Sequence, residues 1–130
     1  MFTMIIGLPN AGKTTYSSEY KNVIHIDEVR SKEAIEMIKQ ADDVCVEGVF
    51  PFSNRRKDFL KSYNGNGKKI CIWLNTAFEE CVKRENRNRN KLIIENCREY
   101  FEPPTYDEGW DEIIIIEDNN DESISNTKQT

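Results

Sequence analysis

A strand-like run that leads directly into a glycine-rich turn constrains the fold of this chain more than any other feature. Residues 2–6 are mostly apolar and predict a buried strand, and residues 7–14 read Gly-Leu-Pro-Asn-Ala-Gly-Lys-Thr. This order fits G-x-x-x-x-G-K-S/T at every fixed position, which is the pattern of a phosphate-binding loop. Glycines let the backbone turn so that successive N–H groups face inward, and the helix that follows adds its positive N-terminus. An ordinary strand-to-helix turn is the alternative, and the strand before the motif and the helix after it disfavour that alternative.

Each position of this loop has an expected role toward ATP. The backbone amides would surround the phosphates, the Lys13 ammonium would reach the β- and γ-phosphates, and the Thr14 hydroxyl would ligate Mg²⁺. The residues expected to bind the nucleotide are Gly7, Leu8, Pro9, Asn10, Ala11, Gly12, Lys13, Thr14 and Thr15.

Length and composition predict a single domain without a membrane segment. The 130 residues are enough for one core, which we place at 1–117 with a polar, disordered tail at 118–130. A net charge of −5 disfavours a protein that coats nucleic acids, although it says little about a local arginine cluster. No signal peptide or bilayer-length apolar run is present, and the four cysteines form no C-x-x-C pair. We therefore expect a cytoplasmic protein with reduced, mostly buried thiols.

Strand and helix patterns alternate along the chain. Further strands are predicted at 23–26, 44–46, 70–74 and 113–116, the last buried on both faces. Helices are predicted after the loop at 13–20, after Ser31 and Ser53 as N-caps, after a capping box at 76–79, and over the segment that contains Leu92, Ile93, Cys97, Tyr100 and Phe101. This alternation predicts an α/β domain of the P-loop NTPase type, with a mostly parallel sheet of about five strands and helices on both faces.

Charged side chains follow two of the predicted strands, at the end where parallel sheets bind ligands. Asp27 and Arg30 come just after the second strand, and Glu47 ends the third. Asp27 is a candidate for the carboxylate near an attacking oxygen, with a helix cap as the alternative. Arg30 is a candidate for acceptor binding, with a surface residue or a salt-bridge partner as the alternative. Glu47 either holds the waters of Mg²⁺ or is a buried, hydrogen-bonded carboxylate, and His25 reads as a plain strand residue.

Two arginine clusters are candidates for binding anions. Arg55 and Arg56 lie in the first turn of a predicted helix, where they would either bind substrate phosphates or solvate the helix end. The stretch 83–91 contains Arg84, Arg87 and Arg89 and no apolar residue. Guanidinium groups match phosphate geometry, so this stretch is typical of a lid over phosphates, with a solvated helix face as the alternative.

A segment near the C-terminus precedes the last predicted strand. Glu108, Trp110 and Asp111 are expected to stabilise this loop, and the Trp110 ring has the alternative of packing near a nucleotide base.

Taken together, several motifs resemble those of one family. The phosphate loop, I-x-x-D-E-V-R at 24–30, the arginine-rich stretch and F-E-P-P-T-Y-D-E-G-W-D-E-I at 101–113 are similar to the small P-loop kinases grouped around 5′-hydroxyl polynucleotide kinases. In that family the aspartate matching Asp27 is the general base for the attacking hydroxyl, and the arginine matching Arg30 holds the 3′ phosphate of the acceptor. The resemblance implies a lid arginine at Arg84, Arg87 or Arg89, and the D-x-D-G-T phosphatase motif of several members is missing from the sequence.

The predicted function is ATP-dependent, Mg²⁺-requiring phosphoryl transfer to a hydroxyl group, with the 5′-OH end of a polynucleotide as the preferred acceptor. Such transfer needs a phosphate cradle, a metal, a cation and a carboxylate, and the chain has a candidate for each. A kinase for a small metabolite or nucleotide is one alternative. An ATP-binding regulatory module without transfer is another, and the oligomeric state stays open.

Overall fold

The computed structural model describes residues 1–86 and 91–118. In chain order the elements are β1 (Phe2–Ile6), α1 (Lys13–Ser17), β2 (Val23–His25), α2 (Ser31–Gln40), β3 (Val44–Gly48), α3 (Ser53–Ser62), β4 (Lys69–Thr76), α4 (Phe78–Lys83), α5 (Lys91–Tyr100) and β5 (Glu112–Asp118). A short 3₁₀ turn, Tyr106–Glu108, precedes β5.

The five strands form one sheet in the order β2-β3-β1-β4-β5, and every neighbouring pair is parallel. The first strand is therefore central, and the chain adds strands to both of its sides. The carboxyl ends of all strands meet at the edge of the sheet that carries the phosphate loop. The predicted fold class is confirmed.

Helices cover both faces of the sheet, because alternate strand residues point to opposite sides. Phe2, Met4 and Ile6 of β1 lie in a core with residues of α2 and α3. Ile5 lies in a second core with residues of α1, α4 and α5. The phosphate loop begins at the end of β1 and leads to α1, which lies on the face of the sheet that carries the second core.

The main local error of the sequence prediction is the identity of the helix N-cap residues. Ser31 and Ser53 are the first helical residues of α2 and α3, whose N-caps are Arg30 and Phe52 without a side-chain cap hydrogen bond. The capping box at 76–79 is also wrong, because Thr76 is the last residue of β4. Helix α1 ends at Ser17, three residues early, since the Ser17 and Ser18 hydroxyls bond to the carbonyls of Thr14 and Thr15.

The last two elements differ from expectation in burial. In α5 the fully buried residue is Ile94, whereas Leu92, Ile93 and Tyr100 are 53%, 46% and 58% exposed. In β5 both faces pack against the cores as predicted, but only Ile113 is fully buried, because β5 lies at the end of the strand order. This strand reaches Asp118, one residue past the predicted domain boundary, and the predicted tail at 119–130 lies outside the described residues.

Among the helices that the structure describes, none combines the length and the apolar character that a bilayer crossing needs.

Candidate functional site

The phosphate loop connects β1 to α1, and two glycines determine its shape. A Cβ on Gly7 would lie 2.8 Å from the Leu74 carbonyl oxygen and 3.1 Å from the Ala11 Cβ, so only glycine fits there. Gly12, the N-cap of α1, has a φ of 102°, a left-handed conformation that glycine adopts without a steric cost. The loop geometry therefore requires both motif glycines.

Side chains from neighbouring elements hold the loop in place. The Thr76 hydroxyl donates to the Ala11 carbonyl at 2.8 Å, and the Asn10 amide donates to the Cys81 carbonyl at 3.0 Å. Lys13 is 7% exposed, and its Nζ donates to the Leu8 carbonyl at 2.7 Å. The Lys13 ammonium thus lies against the loop itself. This is the position that the motif predicts for a group contacting the terminal phosphates.

One arginine of the predicted lid reaches this loop. The Arg84 Nη1 donates to the Asn10 carbonyl at 3.1 Å, and its Nε donates to Glu80 Oε2 at 2.9 Å. The same Nη1 is 3.7 Å from the place where a Cβ on Gly12 would lie. The structure therefore brings Arg84 together with Lys13 at the phosphate loop, while Arg87 and Arg89 lie outside the described residues.

Glu47 lies beside the loop as a hydrogen-bonded, buried carboxylate. It is 7% exposed, and its Oε1 lies 2.7 Å from His25 Nδ1. The sheet register pairs Glu47 with both His25 and Ile5. Glu47 is therefore level with a β1 residue that comes two positions before the loop, and it lies on the face covered by α1. The sequence analysis treated His25 only as a strand residue and missed this contact. The register between parallel strands cannot be predicted from a local sequence pattern.

The donor set suits a magnesium ion that a nucleotide brings with it. The described residues contain no cluster of three or more His, Cys, Asp or Glu side chains that could hold a metal ion. Mg²⁺ in nucleotide sites is bound by one or two protein oxygens together with substrate phosphates and water. Thr14, exposed in the first turn of α1, and the Glu47 carboxylate fit that arrangement.

Asp27 lies in the turn after β2, exposed to solvent. Only β3 separates β2 from β1, so the strand that precedes Asp27 and the strand that precedes the loop are two strand spacings, roughly 10 Å, apart and end at the same sheet edge. The helix-cap alternative for Asp27 is wrong, because α2 begins after Arg30 without any side-chain cap hydrogen bond. Arg30 is also exposed at this edge.

The adjacent residues Arg55 and Arg56 have opposite environments. Arg55 is exposed, and its Nη2 donates to the Ser31 hydroxyl at 2.8 Å. Arg56 is 0% exposed, donates to both Glu108 carboxylate oxygens at 3.0 Å and 2.8 Å, and donates to the Phe50 carbonyl at 2.7 Å. The prediction that Arg56 binds a substrate phosphate or solvates the helix end is wrong, because its guanidinium is enclosed by these partners.

Glu108 and its neighbours stabilise the loop before β5, as predicted. Burial opposes ionisation of Glu108, but hydrogen bonds from Arg56 and Trp110 outweigh it, and the pKa of Glu108 lies below its usual value. The Trp110 ring stacks on Phe2 at a centroid distance of 6.0 Å. Phe2 begins β1, at the opposite end of the strand from the phosphate loop, so the alternative that Trp110 packs near a nucleotide base is wrong. Asp111 accepts the Lys69 amide at 2.8 Å.

The cysteines are not joined in disulfides within the described part of the chain, and Cys45, Cys71 and Cys81 are buried as expected. Burial raises the pKa of the Cys45 thiol to about 12 and also raises that of Cys71. These two thiols are therefore protonated at neutral pH.

A pocket beside the loop is a feature that sequence reasoning missed. It has a volume of about 130 Å³, opens next to Leu8, and is lined on other sides by Trp73, Asn75 and Phe101. The Trp73 and Phe101 rings stack with centroids 5.5 Å apart. The pocket gathers aromatic residues from β4 and from the segment after α5, elements that are close only in the folded chain.

Comparison with known proteins by sequence finds no matching family model and no matching curated protein. Solved structures do match the fold. Kti12 from Chaetomium thermophilum, solved in complex with ADP-AlF3, superposes with a TM-score of 0.65 at 16% identity, covering 95% of this chain and 92% of that one. The protein APE1195 gives a TM-score of 0.59 at 16% identity, covering 96% and 87%. A gluconokinase from Sinorhizobium meliloti 1021 gives 0.57 at 11% identity, covering 88% and 81%.

At these identities the likeness shows the fold and no more. The chain has a P-loop-type α/β fold with a five-stranded parallel sheet.

Proposed function

We propose that this protein is an ATP-dependent kinase that transfers the γ-phosphoryl group to a hydroxyl acceptor. The observation that carries the proposal is one sheet edge with two features on it. A phosphate loop contacted by Lys13 and Arg84 lies there, and an exposed carboxylate, Asp27, follows β2, whose axis is two strand spacings, roughly 10 Å, from that of β1. The structural neighbour Kti12 was solved in complex with ADP-AlF3, which supports nucleotide binding by a chain of this fold.

The chemistry is mainly positioning and charge stabilisation. The loop amides and the Lys13 ammonium hold the phosphates, and Arg84 neutralises charge on the transferred group. The Thr14 hydroxyl and the Glu47 carboxylate would hold Mg²⁺, which would withdraw charge from the nucleotide phosphates. Asp27 accepts the proton of the attacking hydroxyl.

The acceptor that we favour is the 5′-OH end of a polynucleotide. Arg30 and Arg55 support it, because both are exposed and the Arg55–Ser31 hydrogen bond ties the starts of α2 and α3 together at this edge. Several guanidinium groups near one reacting hydroxyl suit an acceptor that carries its own phosphates. The gluconokinase neighbour fits a small-metabolite acceptor equally well, so the acceptor needs a direct test.

The test is an acceptor panel with ATP labelled on the γ-phosphate. A 5′-OH oligonucleotide, a 3′-nucleotide, a nucleoside and gluconate are compared, and ADP release is measured with and without each acceptor. We expect the oligonucleotide to be the best acceptor and its phosphorylation to weaken steeply with salt, because several phosphates are neutralised at once. Transfer to gluconate alone would favour the metabolite kinase. ATP binding without transfer to any acceptor would favour the regulatory module.

Asp27→Asn tests the proposed base. Asn keeps the size of the side chain but cannot accept the proton, so turnover should fall roughly 100-fold or more while ATP affinity is retained. Glu28→Gln is the matched control, since Glu28 is an exposed carboxylate in the same turn, and it should leave turnover unchanged. An Asp27→Asn enzyme with wild-type turnover would refute the assignment. A joint loss of turnover and ATP affinity would assign Asp27 to the nucleotide site instead.

A further inference from the structure

The segment 49–52 follows β3, and β3 lies between β2 and β1. This segment therefore leaves the sheet at the same edge as the turn with Asp27, which follows β2, and the phosphate loop, which follows β1. Its last residue, Phe52, is 45% exposed and stacks on no other ring among the described residues. A large aromatic side chain is thus presented to solvent in the segment that follows β3, at the sheet edge that carries Asp27 and the phosphate loop.

The backbone on both sides of Phe52 is tied down. Glu102 bonds to both neighbours of Phe52, since its amide donates to the Pro51 carbonyl at 2.8 Å and its Oε1 accepts the Ser53 amide at 2.7 Å. Two residues earlier, Phe50 has a left-handed φ of 44°, and its carbonyl accepts the buried Arg56 Nη1 at 2.7 Å. A strained residue of this kind persists only where its surroundings over-determine it, and such residues cluster at binding sites.

Phe50 also explains why Phe52 is left exposed. The Phe50 ring is 5% exposed and meets the Phe59 ring edge-on at 5.2 Å, so it fills the core position below the segment. With that position occupied and the backbone held, the Phe52 ring has no place in the core. The exposure of Phe52 is therefore built into the segment.

Arg55 follows Phe52 by three residues in the chain, and Arg30 is linked to it through the contact between the starts of α2 and α3. Arg55 is in the first turn of α3, and its hydrogen bond to Ser31 draws the start of α2, with Arg30 at its N-cap, toward the start of α3. An aromatic ring beside guanidinium groups is the combination with which proteins bind single-stranded nucleic acids, because bases stack on the ring and phosphates pair with the cations.

We propose that Phe52 is the stacking platform for the terminal base of the acceptor strand. The acceptor is then a single-stranded 5′-OH nucleic acid whose first base lies on the Phe52 ring, with Arg30 and Arg55 on the phosphates that follow. This inference rests on the proposed kinase function and deepens it, since it names the part of the acceptor that the enzyme reads.

The test uses two single-stranded 5′-OH oligonucleotides that differ only at the first residue, which carries a base in one and is abasic in the other. The wild-type protein should prefer the base-bearing strand in kcat/KM by about 5- to 150-fold, the range measured for stacking of one base on one aromatic side chain. Phe52→Ala should reduce that preference to within about twofold, and Phe52→Trp should keep it.

Met37→Ala is the matched control. Met37 is 48% exposed on α2, six residues after Ser31 and therefore about 9 Å further along the helix, and its loss should leave the preference unchanged. Thermal unfolding of each variant checks that the fold is retained. If transfer occurs and Phe52→Ala still prefers the base-bearing strand, the platform is overturned while the kinase proposal stands.

If the wild-type protein phosphorylates neither strand, a measurement of strand binding distinguishes the stacking proposal from the kinase proposal. Fluorescence anisotropy of the same two strands, labelled at the 3′ end, is then measured in the presence of ADP. A base preference that Phe52→Ala removes would support the platform without the proposed transfer. Equal binding of both strands by the wild-type protein would overturn the platform.

Discussion

Replacing Arg56 by Met should destabilise the protein severely. The guanidinium is fully buried and supplies two hydrogen bonds to the Glu108 carboxylate, one to the Phe50 carbonyl and one to the Glu102 carbonyl. Methionine fills much of the volume but leaves a buried carboxylate without its cation, which the neutral hydrogen bonds from Trp110 and Ser53 do not replace. Removing one partner of a buried ion pair costs about 3–5 kcal/mol.

That loss is a large part of the stability of a domain this size. Native domains are stable by about 5–15 kcal/mol, and a loss of 3–5 kcal/mol should lower Tm by roughly 10–20 °C. The free energy of unfolding is measured by urea titration, with the fluorescence of the buried Trp110 as a reporter close to the substitution. Arg56→Met with Glu108→Leu should lose less than Arg56→Met alone, because no unpaired charge is then left in the core.

The neighbouring residue provides the control. Arg55→Ala removes an exposed guanidinium, so its unfolding free energy should change by no more than about 0.5 kcal/mol, while KM for the oligonucleotide rises. Arg56→Met, assayed below its transition, should keep a near wild-type KM. A loss of less than about 1 kcal/mol in Arg56→Met, the scale of a surface ion pair, would refute the structural role.

Three further outcomes are expected. Lys13→Ala should reduce turnover by roughly 100-fold or more with an unchanged circular dichroism spectrum, because it removes a charge at the transferred group; wild-type turnover would exclude this loop as the cradle. Arg84→Ala should lower kcat by a similar factor, and an unchanged kcat would move the lid role to Arg87 or Arg89. Glu108→Gln should be less stable than wild type at pH 7, and urea titrations should find that this difference shrinks as the pH falls below about 4.5. The sign follows from a folded-state pKa below the unfolded one, since the stabilisation is complete above the unfolded pKa and lost as the carboxylate becomes protonated. A pH-independent difference would contradict that argument.

The sequence by itself determined the features that depend on local patterns. The phosphate loop is visible because its glycines, lysine and threonine are contiguous, and the fold class follows from the alternation of strand and helix patterns. The placement of Asp27 at the loop's sheet edge was also predictable, since the carboxyl ends of parallel strands share one edge. Even here, part of the reason that position 7 must be glycine is a clash with the Leu74 carbonyl. Leu74 is 67 positions away in the chain, and only the folded sheet brings it close.

Tertiary structure alone decided which members of a local cluster are available to a ligand. Arg55 and Arg56 look equivalent in sequence, but successive helix residues point about 100° apart, and the partner that buries Arg56 is 52 positions away at Glu108. Thr76 has the spacing of a helix cap, yet β4 extends far enough for its hydroxyl to reach the Ala11 carbonyl instead. The physical reason is the same in both cases. A side chain takes the partner that removes the cost of burying its polar atoms, and that partner is set by strand register and packing rather than by neighbours in sequence.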